Sequence, residues 1–145
     1  LFADAGTPGI SDPGCRRVRA CIEAGIKVAH IPGANAGMAA LSASGLPTDR
    51  FLFLGLAPRT ENKLIKAIRL GQETESTVIF YESPFRIVKS LESLAKHFPD
   101  AHVVIGRELT KIFEEFLRGA PSEVLAQLTT ENTKGEFVLL IAFKK

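Results

Sequence analysis

Short apolar segments alternate with amphipathic segments along the chain, and this alternation constrains the fold more than any other feature. The opening third predicts strands at 1–3 and 27–31 and helices at 12–24 and 35–44. Asp12 is a suitable cap for the first helix, and Gly45 is suited to end the second. A strand–helix–strand order is typical of parallel sheets with crossover helices. We therefore expect an α/β fold with a parallel sheet here.

The pattern changes at residues 46–49, where a Leu-Pro-Thr-Asp segment predicts a domain boundary. Beyond it the apolar pattern predicts helices and strands in mixed order. The expected helices are 61–70, 84–97 and 122–128, and the expected strands are 51–56, 77–81, 103–107, 113–118 and 136–143. A short connection between 103–107 and 113–118 favours antiparallel pairing. The sequence thus predicts two α/β domains, residues 1–48 and residues 49–145 with a mixed sheet.

Charge and composition exclude several classes of protein. The 145 residues carry 18 Lys and Arg against 16 Asp and Glu, a net charge of +2, so any affinity for nucleic acid must be local. No apolar run approaches the roughly 20 residues of a membrane span. The three histidines lack ligand spacing, so no metal site is expected. Cys15 and Cys21 fall about 9 Å apart on one predicted helix, too far for a disulfide, which favours reduced thiols and a cytoplasmic protein.

A Gly- and Pro-rich loop, Asp-Ala-Gly-Thr-Pro-Gly-Ile-Ser-Asp-Pro-Gly at residues 4–14, joins the first predicted strand to the first helix. Open α/β sheets bind ligands at such strand ends. Glycines let a ligand approach the backbone, and free N–H groups at the helix start favour a phosphate or carboxylate. From these residues alone, an ordinary strand-to-helix turn is about as well supported as a binding loop. The absence of Gly-Lys-Ser/Thr excludes a nucleotide P-loop.

A second loop, residues 32–36, also lies between a predicted strand and a predicted helix. Taken alone, it is better explained as a turn with Asn35 capping the helix. If the two preceding strands are neighbours, however, both loops open at one edge of the sheet. The pair then forms a cleft, which favours a binding site.

Basic residues concentrate near the third predicted helix. Residues 50–70 hold five basic residues and one acidic residue, a local balance of 5 − 1 = +4. Helical spacing places Arg59, Lys63, Lys66 and Arg69 along one face, suited to a phosphate backbone. Arg86 and Lys89 add positive charge nearby. A solvated helix face is the alternative, and without further information it is the better supported one.

Five ordered motifs identify a family resemblance. Besides the loop at 4–14 they are Leu-Ser-Ala-Ser-Gly-Leu-Pro-Thr-Asp-Arg-Phe at 41–51, Phe-Tyr-Glu-Ser-Pro at 80–84, Arg-Glu-Leu-Thr-Lys at 107–111 and Lys-Gly-Glu at 134–136. Together they resemble the branch of the tetrapyrrole methylase superfamily whose bacterial members methylate a cytidine ribose 2′-hydroxyl in 16S ribosomal RNA. The resemblance implies the class III methyltransferase type of fold, two α/β domains that bind S-adenosylmethionine in the cleft between them, and a homodimer.

The resemblance also implies which residues bind the cofactor, while no metal is implied. These residues are Asp4, Gly6, Thr7, Pro8, Ile10 and Ser11 in the first loop, Asn35 and Ala36 in the second, and Tyr81, Ser83, Gly135 and Glu136 in the second domain. The chain departs from the family in two places: it has Pro-Gly-Ala-Asn at 32–35 where Pro-Gly-Pro-Ser is usual, and Phe85 where His is common. Because the chain opens at Leu1 within a strand pattern, we expect the first domain to be truncated.

The reaction implied is direct attack of a ribose oxygen on the sulfonium methyl group. Glu82 is our candidate for weakening the ribose proton; a hydrogen-bond partner for the cofactor or the backbone is an equally good interpretation. The expected partner is 16S ribosomal RNA within the small ribosomal subunit, contacted by Arg59, Lys63, Lys66, Arg69 and Arg86.

Two other functions remain open at this point. A tetrapyrrole C-methyltransferase shares the fold and cofactor but does not need the basic helix face. A non-catalytic RNA-binding module predicts affinity for RNA without affinity for the cofactor. A nicotinamide-binding domain is poorly supported, because the first loop lacks Gly-x-Gly-x-x-Gly.

Overall fold

A computed structural model describes residues 6–12 and 14–143, and its internal contacts divide the chain into two compact units, Leu1–Ala36 and Gly37–Lys145. The strand predicted at 1–3 and the predicted cofactor contact Asp4 lie outside the described residues. The domain boundary predicted at residues 48 and 49 falls within the second unit and stays a prediction.

The first unit contains one helix, α1 (Cys15–Glu23), among its described residues. The helix begins three residues after the predicted start, with Gly14 as its N-cap residue. Asp12 still contributes, because its Oδ1 accepts a hydrogen bond from the Gly14 N–H at 2.7 Å. The short polar side chain therefore stabilises the turn before the helix rather than the helix end itself.

The strand predicted at 27–31 is wrong for the described part of the chain, where residues 26–35 carry no regular secondary structure. A strand needs a hydrogen-bonded neighbour to satisfy its backbone, and no described segment pairs with this one. Its apolar side chains are accordingly exposed, Val28 by 46% and Ile31 by 85%. The parallel sheet predicted for the first domain thus has no strand among the described residues.

The second unit is built on a five-stranded mixed sheet with the order β1-β2-β5-β3-β4. The strands are β1 (Phe51–Leu56), β2 (Thr77–Glu82), β3 (His102–Arg107), β4 (Glu115–Gly119) and β5 (Phe137–Ala142). The β1 and β2 strands are parallel, and every other neighbouring pair is antiparallel. The predicted mixed sheet and the predicted antiparallel pairing of β3 with β4 are both confirmed.

Helices cover the two faces of this sheet unequally. One face packs against α3 (Glu61–Glu73), α4 (Ile87–His97) and α5 (Pro121–Gln127), and the other against α2 (Ala36–Ser44). Successive strand residues point to opposite faces, so Phe80 lies in the larger cluster and Ile79 beneath α2. All of β5 is buried, since it lies at the centre of the sheet with both faces covered.

Arg118 on β4 holds the C-terminal end of α2. Its Nη2 donates to the Ala43 carbonyl at 2.8 Å, and its guanidinium lies 4.8 Å from the centre of the Phe116 ring. These contacts satisfy a carbonyl that the helix end leaves unpaired. Gly45, with a φ of +79°, then ends the helix as the sequence predicts.

Candidate functional site

The two loops that the sequence singles out contact each other within the first unit. The Thr7 hydroxyl donates a hydrogen bond of 3.0 Å to the Ala34 carbonyl. A Cβ atom on Gly33 would lie 3.3 Å from Thr7 Oγ1, and one on Gly6 would lie 3.3 Å from the Ala34 oxygen. Both glycines therefore permit a close approach of the loops, and Gly6 also has a φ of +70°. The structure thus brings the two predicted binding loops together.

The first loop follows a backbone path that most residues avoid. Gly9 has a φ of +85°, and Ser11 has a φ of +55° although it carries a side chain. A weak turn closes the loop, in which the Ile10 N–H donates to the Thr7 carbonyl at 3.4 Å. Unusual backbone conformations of this kind concentrate at ligand sites, where the loop shape must be set in advance. Pro8 is half-buried and Ile10 is exposed by 47%.

The second loop supplies Asn35, which is half-buried, and Ala36, which begins α2. The helix starts one residue after the predicted position. The described residues of both loops therefore include seven of the eight cofactor contacts that the resemblance assigns to them: Gly6, Thr7, Pro8, Ile10, Ser11, Asn35 and Ala36.

Glu82, the candidate base, is buried at the end of β2, and both of its carboxylate oxygens have partners. Oε1 accepts from Arg86 Nη2 at 2.7 Å and from the Ser83 N–H at 2.8 Å. Oε2 accepts from the Ser90 hydroxyl at 2.6 Å. The side chain is only 1% exposed. These contacts support the alternative interpretation, a hydrogen-bond partner for the backbone, and give no support to a free general base.

Tyr81 and Glu82 lie on opposite faces of the sheet. Tyr81 packs on the α2 face, with its ring centre 5.1 Å from that of Phe53. Glu82 lies on the other face, where it contacts Ser90 of α4. Strand alternation explains the difference, because neighbouring side chains point in opposite directions. The family motif that contains both residues therefore cannot present both side chains to one ligand.

The predicted cofactor residue Ser83 lies just beyond β2. Its hydroxyl accepts a hydrogen bond of 3.3 Å from the Phe85 N–H, and its carbonyl accepts from the N–H groups of Arg86 and Ile87. Ser83 thus forms the turn that leads into α4.

Two sequence motifs that lie far apart meet in an ionic cluster that we call the Lys111 cluster, made of Glu108, Lys111 and Glu136. Lys111 Nζ lies 2.9 Å from Glu108 Oε1 and 3.0 Å from Glu136 Oε2. Glu108 Oε1 also accepts from the Glu136 N–H at 2.8 Å. The motifs at 107–111 and 134–136 therefore form one structural element, which sequence reasoning did not anticipate.

Gly135 is required for this arrangement. Its φ is +102°, and an added Cβ atom would lie 2.6 Å from Glu108 Oε1, closer than real contacts permit. A Gly at this position thus lets the Glu136 N–H reach the Glu108 carboxylate.

Hydrogen bonding shifts two pKa values in the Lys111 cluster. The hydrogen bond from Lys111, followed by that from the Glu136 backbone, holds the pKa of Glu108 below its usual 4.5. Hydrogen bonds to Glu108 and then to Glu136 raise the pKa of Lys111 above its usual 10.5. Both shifts favour the charged forms of Glu108 and Lys111.

The basic residues of the predicted stripe are all exposed: Lys63, Lys66 and Arg69 lie on α3, and Arg59 lies two residues before the helix begins. We call these four residues the basic face of α3. The three helical residues point away from the buried side of α3, which carries Leu64 and Ile68. Within residues 6–12 and 14–143, none of the four basic side chains forms an ion pair. The nearby carboxylate of Glu61 is directed elsewhere, 3.1 Å from His97 and 3.7 Å from Lys96. The hydrogen bond with His97 is the main cause that lowers the pKa of Glu61.

The described residues contain no group of three or more His, Cys, Asp or Glu side chains arranged to hold a metal ion. They also contain no helix that is long and apolar enough to cross a membrane.

The mixed sheet of the second unit, with helices on both faces, defines an α/β protein, and two Gly-containing loops contact each other in the first unit. The family model of the Tetrapyrrole (Corrin/Porphyrin) Methylases matches residues 1–125. The chain belongs to this family. The resemblance carried by the five sequence motifs is thereby confirmed, as is the fold class that it implies.

Curated relatives share much of this sequence. The chain is 46% identical to a protein of Halalkalibacterium halodurans named ribosomal RNA small subunit methyltransferase I. The match covers 97% of this chain and 49% of that protein. The protein of the same name from Hydrogenobaculum sp. is 44% identical over 98% of this chain and 62% of its own length. The Bacillus subtilis protein of that name is 39% identical, over 97% of this chain and 48% of its own length. The chain thus spans about half the length of the curated relatives it matches.

Solved structures support the fold. A diphthine synthase matches with a TM-score of 0.73 at 17% identity, over 97% of this chain and 58% of that one. A cobalamin biosynthetic enzyme, cobalt precorrin-4 methyltransferase, matches with a TM-score of 0.63 at 19% identity. This match covers 93% of the present chain and 60% of the other. Because identity is this low, these matches concern the fold alone.

Proposed function

We propose that this chain belongs to an S-adenosylmethionine-dependent enzyme that methylates the ribose 2′-hydroxyl of a cytidine in 16S ribosomal RNA. The observation that carries the proposal is the contact between Thr7 and Ala34, which holds two Gly-containing loops together in a member of a methylase family. The names of the curated relatives, ribosomal RNA small subunit methyltransferase I, support the choice of substrate.

In this proposal the paired loops bind the methyl donor. Gly6 and Gly33 allow the two loops to approach each other closely, while Thr7 is fixed by its hydrogen bond to Ala34 and does not have to be ordered on binding. Gly6, Thr7, Pro8, Ile10 and Ser11 contribute from the first loop, and Asn35 and Ala36 from the second. Asp4, Tyr81, Ser83, Gly135 and Glu136 remain candidate donor contacts on the strength of the family resemblance.

The proposed chemistry is an in-line displacement. The ribose oxygen forms a bond to the methyl carbon, the carbon–sulfur bond breaks with its electron pair going to sulfur, and S-adenosylhomocysteine leaves. The sulfonium is already a good leaving group, so the protein's main task is to align oxygen, carbon and sulfur. Because the Glu82 carboxylate is committed to Arg86 and Ser90, we assign proton removal to solvent rather than to Glu82.

The basic face of α3 supports an RNA substrate. Four exposed basic side chains without ion-pair partners in the described part of the chain suit a phosphate backbone. A tetrapyrrole substrate does not need a basic face of this kind. We further propose that the enzyme is a cytoplasmic homodimer that acts on the small ribosomal subunit.

The test is a map of 2′-O-methyl groups on 16S ribosomal RNA from cells with and without the gene that encodes this chain. We expect one cytidine to lose its methyl group when the gene is deleted. An unchanged map would overturn the proposal. An unchanged map combined with an altered set of methylated tetrapyrroles would favour the related C-methyltransferase instead.

A further inference from the structure

A cleft of about 250 Å³ lies between α3 and α4 in the second unit. Its lining includes the basic residues Arg59, Arg86, Lys89 and Lys96 and the acidic residues Glu61 and Glu92, a balance of 4 − 2 = +2. Glu61 is already engaged with Lys96 and His97. At the other end of the cleft, Arg86 is paired with Glu82, whereas Arg59 and Lys89 have no ion-pair partner in the described part of the chain.

Arg86 is held in place by a buried carboxylate. Its Nε and Nη2 donate to Glu82 Oε1 at 3.0 and 2.7 Å, and Nη2 also donates to the Ala57 carbonyl at 2.7 Å. Among the described residues nothing accepts from Nη1, and the side chain is 30% exposed. A guanidinium fixed on one side and open on the other is a preorganised donor for a second anion.

Two further cations surround this donor. Lys89 lies one turn along α4 from Arg86, is exposed, and has no ion-pair partner within residues 6–12 and 14–143. Arg59 enters the lining from the segment before α3, and it also belongs to the basic face of α3. The cleft is therefore continuous with the surface that we propose to contact RNA.

We propose that the Arg86 end of this cleft binds one phosphate group of the RNA backbone, with Arg86 Nη1, Lys89 and Arg59 as the donors. This inference rests on the proposed function, since the phosphate is taken to be part of an RNA substrate. Arg86 supplies the fixed donor, and the two flexible side chains neutralise the remaining charge. Glu82 then acts as a positioning residue, because it orients Arg86.

The test compares two charge-matched variants on one helix. Lys89→Gln removes a proposed phosphate contact, whereas Lys96→Gln removes a cation that already lies 3.7 Å from Glu61. For a short single-stranded RNA we expect Lys89→Gln to weaken binding about tenfold, as for one charged hydrogen bond. The slope of log affinity against log salt concentration should fall by the amount expected for about one phosphate contact. Lys96→Gln should change affinity less than about twofold on the same basis.

A third variant should change RNA affinity in the opposite direction. Glu92 lines the same cleft and repels a bound phosphate, so Glu92→Gln should strengthen RNA binding. Equal losses for Lys89→Gln and Lys96→Gln would show that only total charge matters, and would overturn the inference. Thermal melting of each variant confirms that its fold is retained.

Inorganic phosphate separates this inference from the proposed function. Followed by NMR, a phosphate titration should shift the amide signals of Lys89 and Ser90. If phosphate shifts these signals but no RNA binds, the proposed RNA substrate falls and the anion site stands. If RNA binds and loses affinity with changes at Lys63 and Lys66 but not at Lys89, the cleft inference falls and the proposed function stands.

Discussion

Glu82 and Arg86 form an ion pair of 2.7 Å in which the carboxylate is almost fully buried. The pair joins the last residue of β2 to the residue before α4, and the Ser90 hydroxyl completes it from one turn further along the helix. Neither oxygen of Glu82 is left unpaired. The contacts thus give Glu82 a structural role in holding the start of α4 against the sheet, beside the apolar packing of that helix.

Replacement of Glu82 tests this structural role. Glu82→Ala leaves Arg86 and Ser90 without their partner, so we expect unfolding free energy to fall by about 3 kcal/mol or more. Urea unfolding measures the change. Glu92→Ala, an exposed site on α4, is the control and should stay within about 0.5 kcal/mol of the unaltered chain. A stable Glu82→Ala variant that retains RNA and donor binding but abolishes methylation would favour the general-base role instead.

The Lys111 cluster gives a pH-dependent prediction. In Lys111→Met the Glu108 carboxylate loses its largest stabilising contact, so its pKa should rise toward 4.5. NMR titration of the Glu108 side chain measures both values. A Glu108 pKa that is the same in the variant and in the unaltered chain would show that the Lys111 contact does not form in solution.

The same cluster sets a pH window for stability. Folding lowers the pKa of Glu108, so its contribution is present above 4.5 and is lost as pH falls through the folded value. Folding raises the pKa of Lys111, so its contribution is present below 10.5 and is lost as pH rises through the folded value. The stability advantage over Lys111→Met should therefore be largest between these limits. An advantage that is independent of pH would mean that packing, not charge, explains it.

Gly71 tests how closely α3 packs on β2. A Cβ atom at this position would overlap the Val78 side chain, which is fully buried and cannot move aside easily. Helix propensity alone would make Gly71→Ala stabilising by about 1 kcal/mol. We expect destabilisation of about 1 to 3 kcal/mol instead, because overpacking dominates. Gln72→Ala, an exposed neighbour, serves as the control in thermal unfolding, and a stabilised Gly71→Ala variant would mean that the helix lies further from the sheet.

The basic face of α3 should determine how strongly RNA binding depends on salt concentration. Lys63→Gln combined with Lys66→Gln should weaken RNA binding and reduce its salt dependence by about two phosphate contacts. Affinity for S-adenosylmethionine should not change. Arg16→Gln with Arg17→Gln removes the same charge from α1 and should have a smaller effect on RNA binding. If the α3 variant loses cofactor affinity as well, the face has a structural role.

The strands of the second unit were predictable within a few residues, because their apolar patterns and flanking turns are local signals. The strand order was not, since the insertion of β5 between β2 and β3 depends on contacts between distant segments. The start of α4 was placed too early because Ser83 forms a turn that accepts the N–H groups of Arg86 and Ile87. Val88 on α4 is 38% exposed because it lies at the border of the buried face of the helix.

For the candidate site, the sequence predicted the paired loops and left two interpretations of Glu82 open, of which the contacts support the hydrogen-bond partner. The alternation of Glu82 with Val78 and Phe80 on β2 places it on the face that packs against α3, α4 and α5, and this signal is present in the sequence. The Lys111 cluster had no comparable signal, because Glu108 and Glu136 are distant in sequence and meet only when β3 pairs with β5. Lys89 was noted for its charge, but its position in a cleft required the packing of α4 against α3.

The most direct test of the paired-loop donor site is rescue of 2′-O-methylation in cells that lack the gene. Thr7→Trp places a large ring where the Thr7 hydroxyl meets the Ala34 carbonyl, and Thr130→Trp, in an exposed loop, is the control. With both proteins present at equal levels, we predict that Thr130→Trp restores the methyl group on 16S ribosomal RNA and that Thr7→Trp does not. Full methylation by Thr7→Trp would contradict a donor site at these loops.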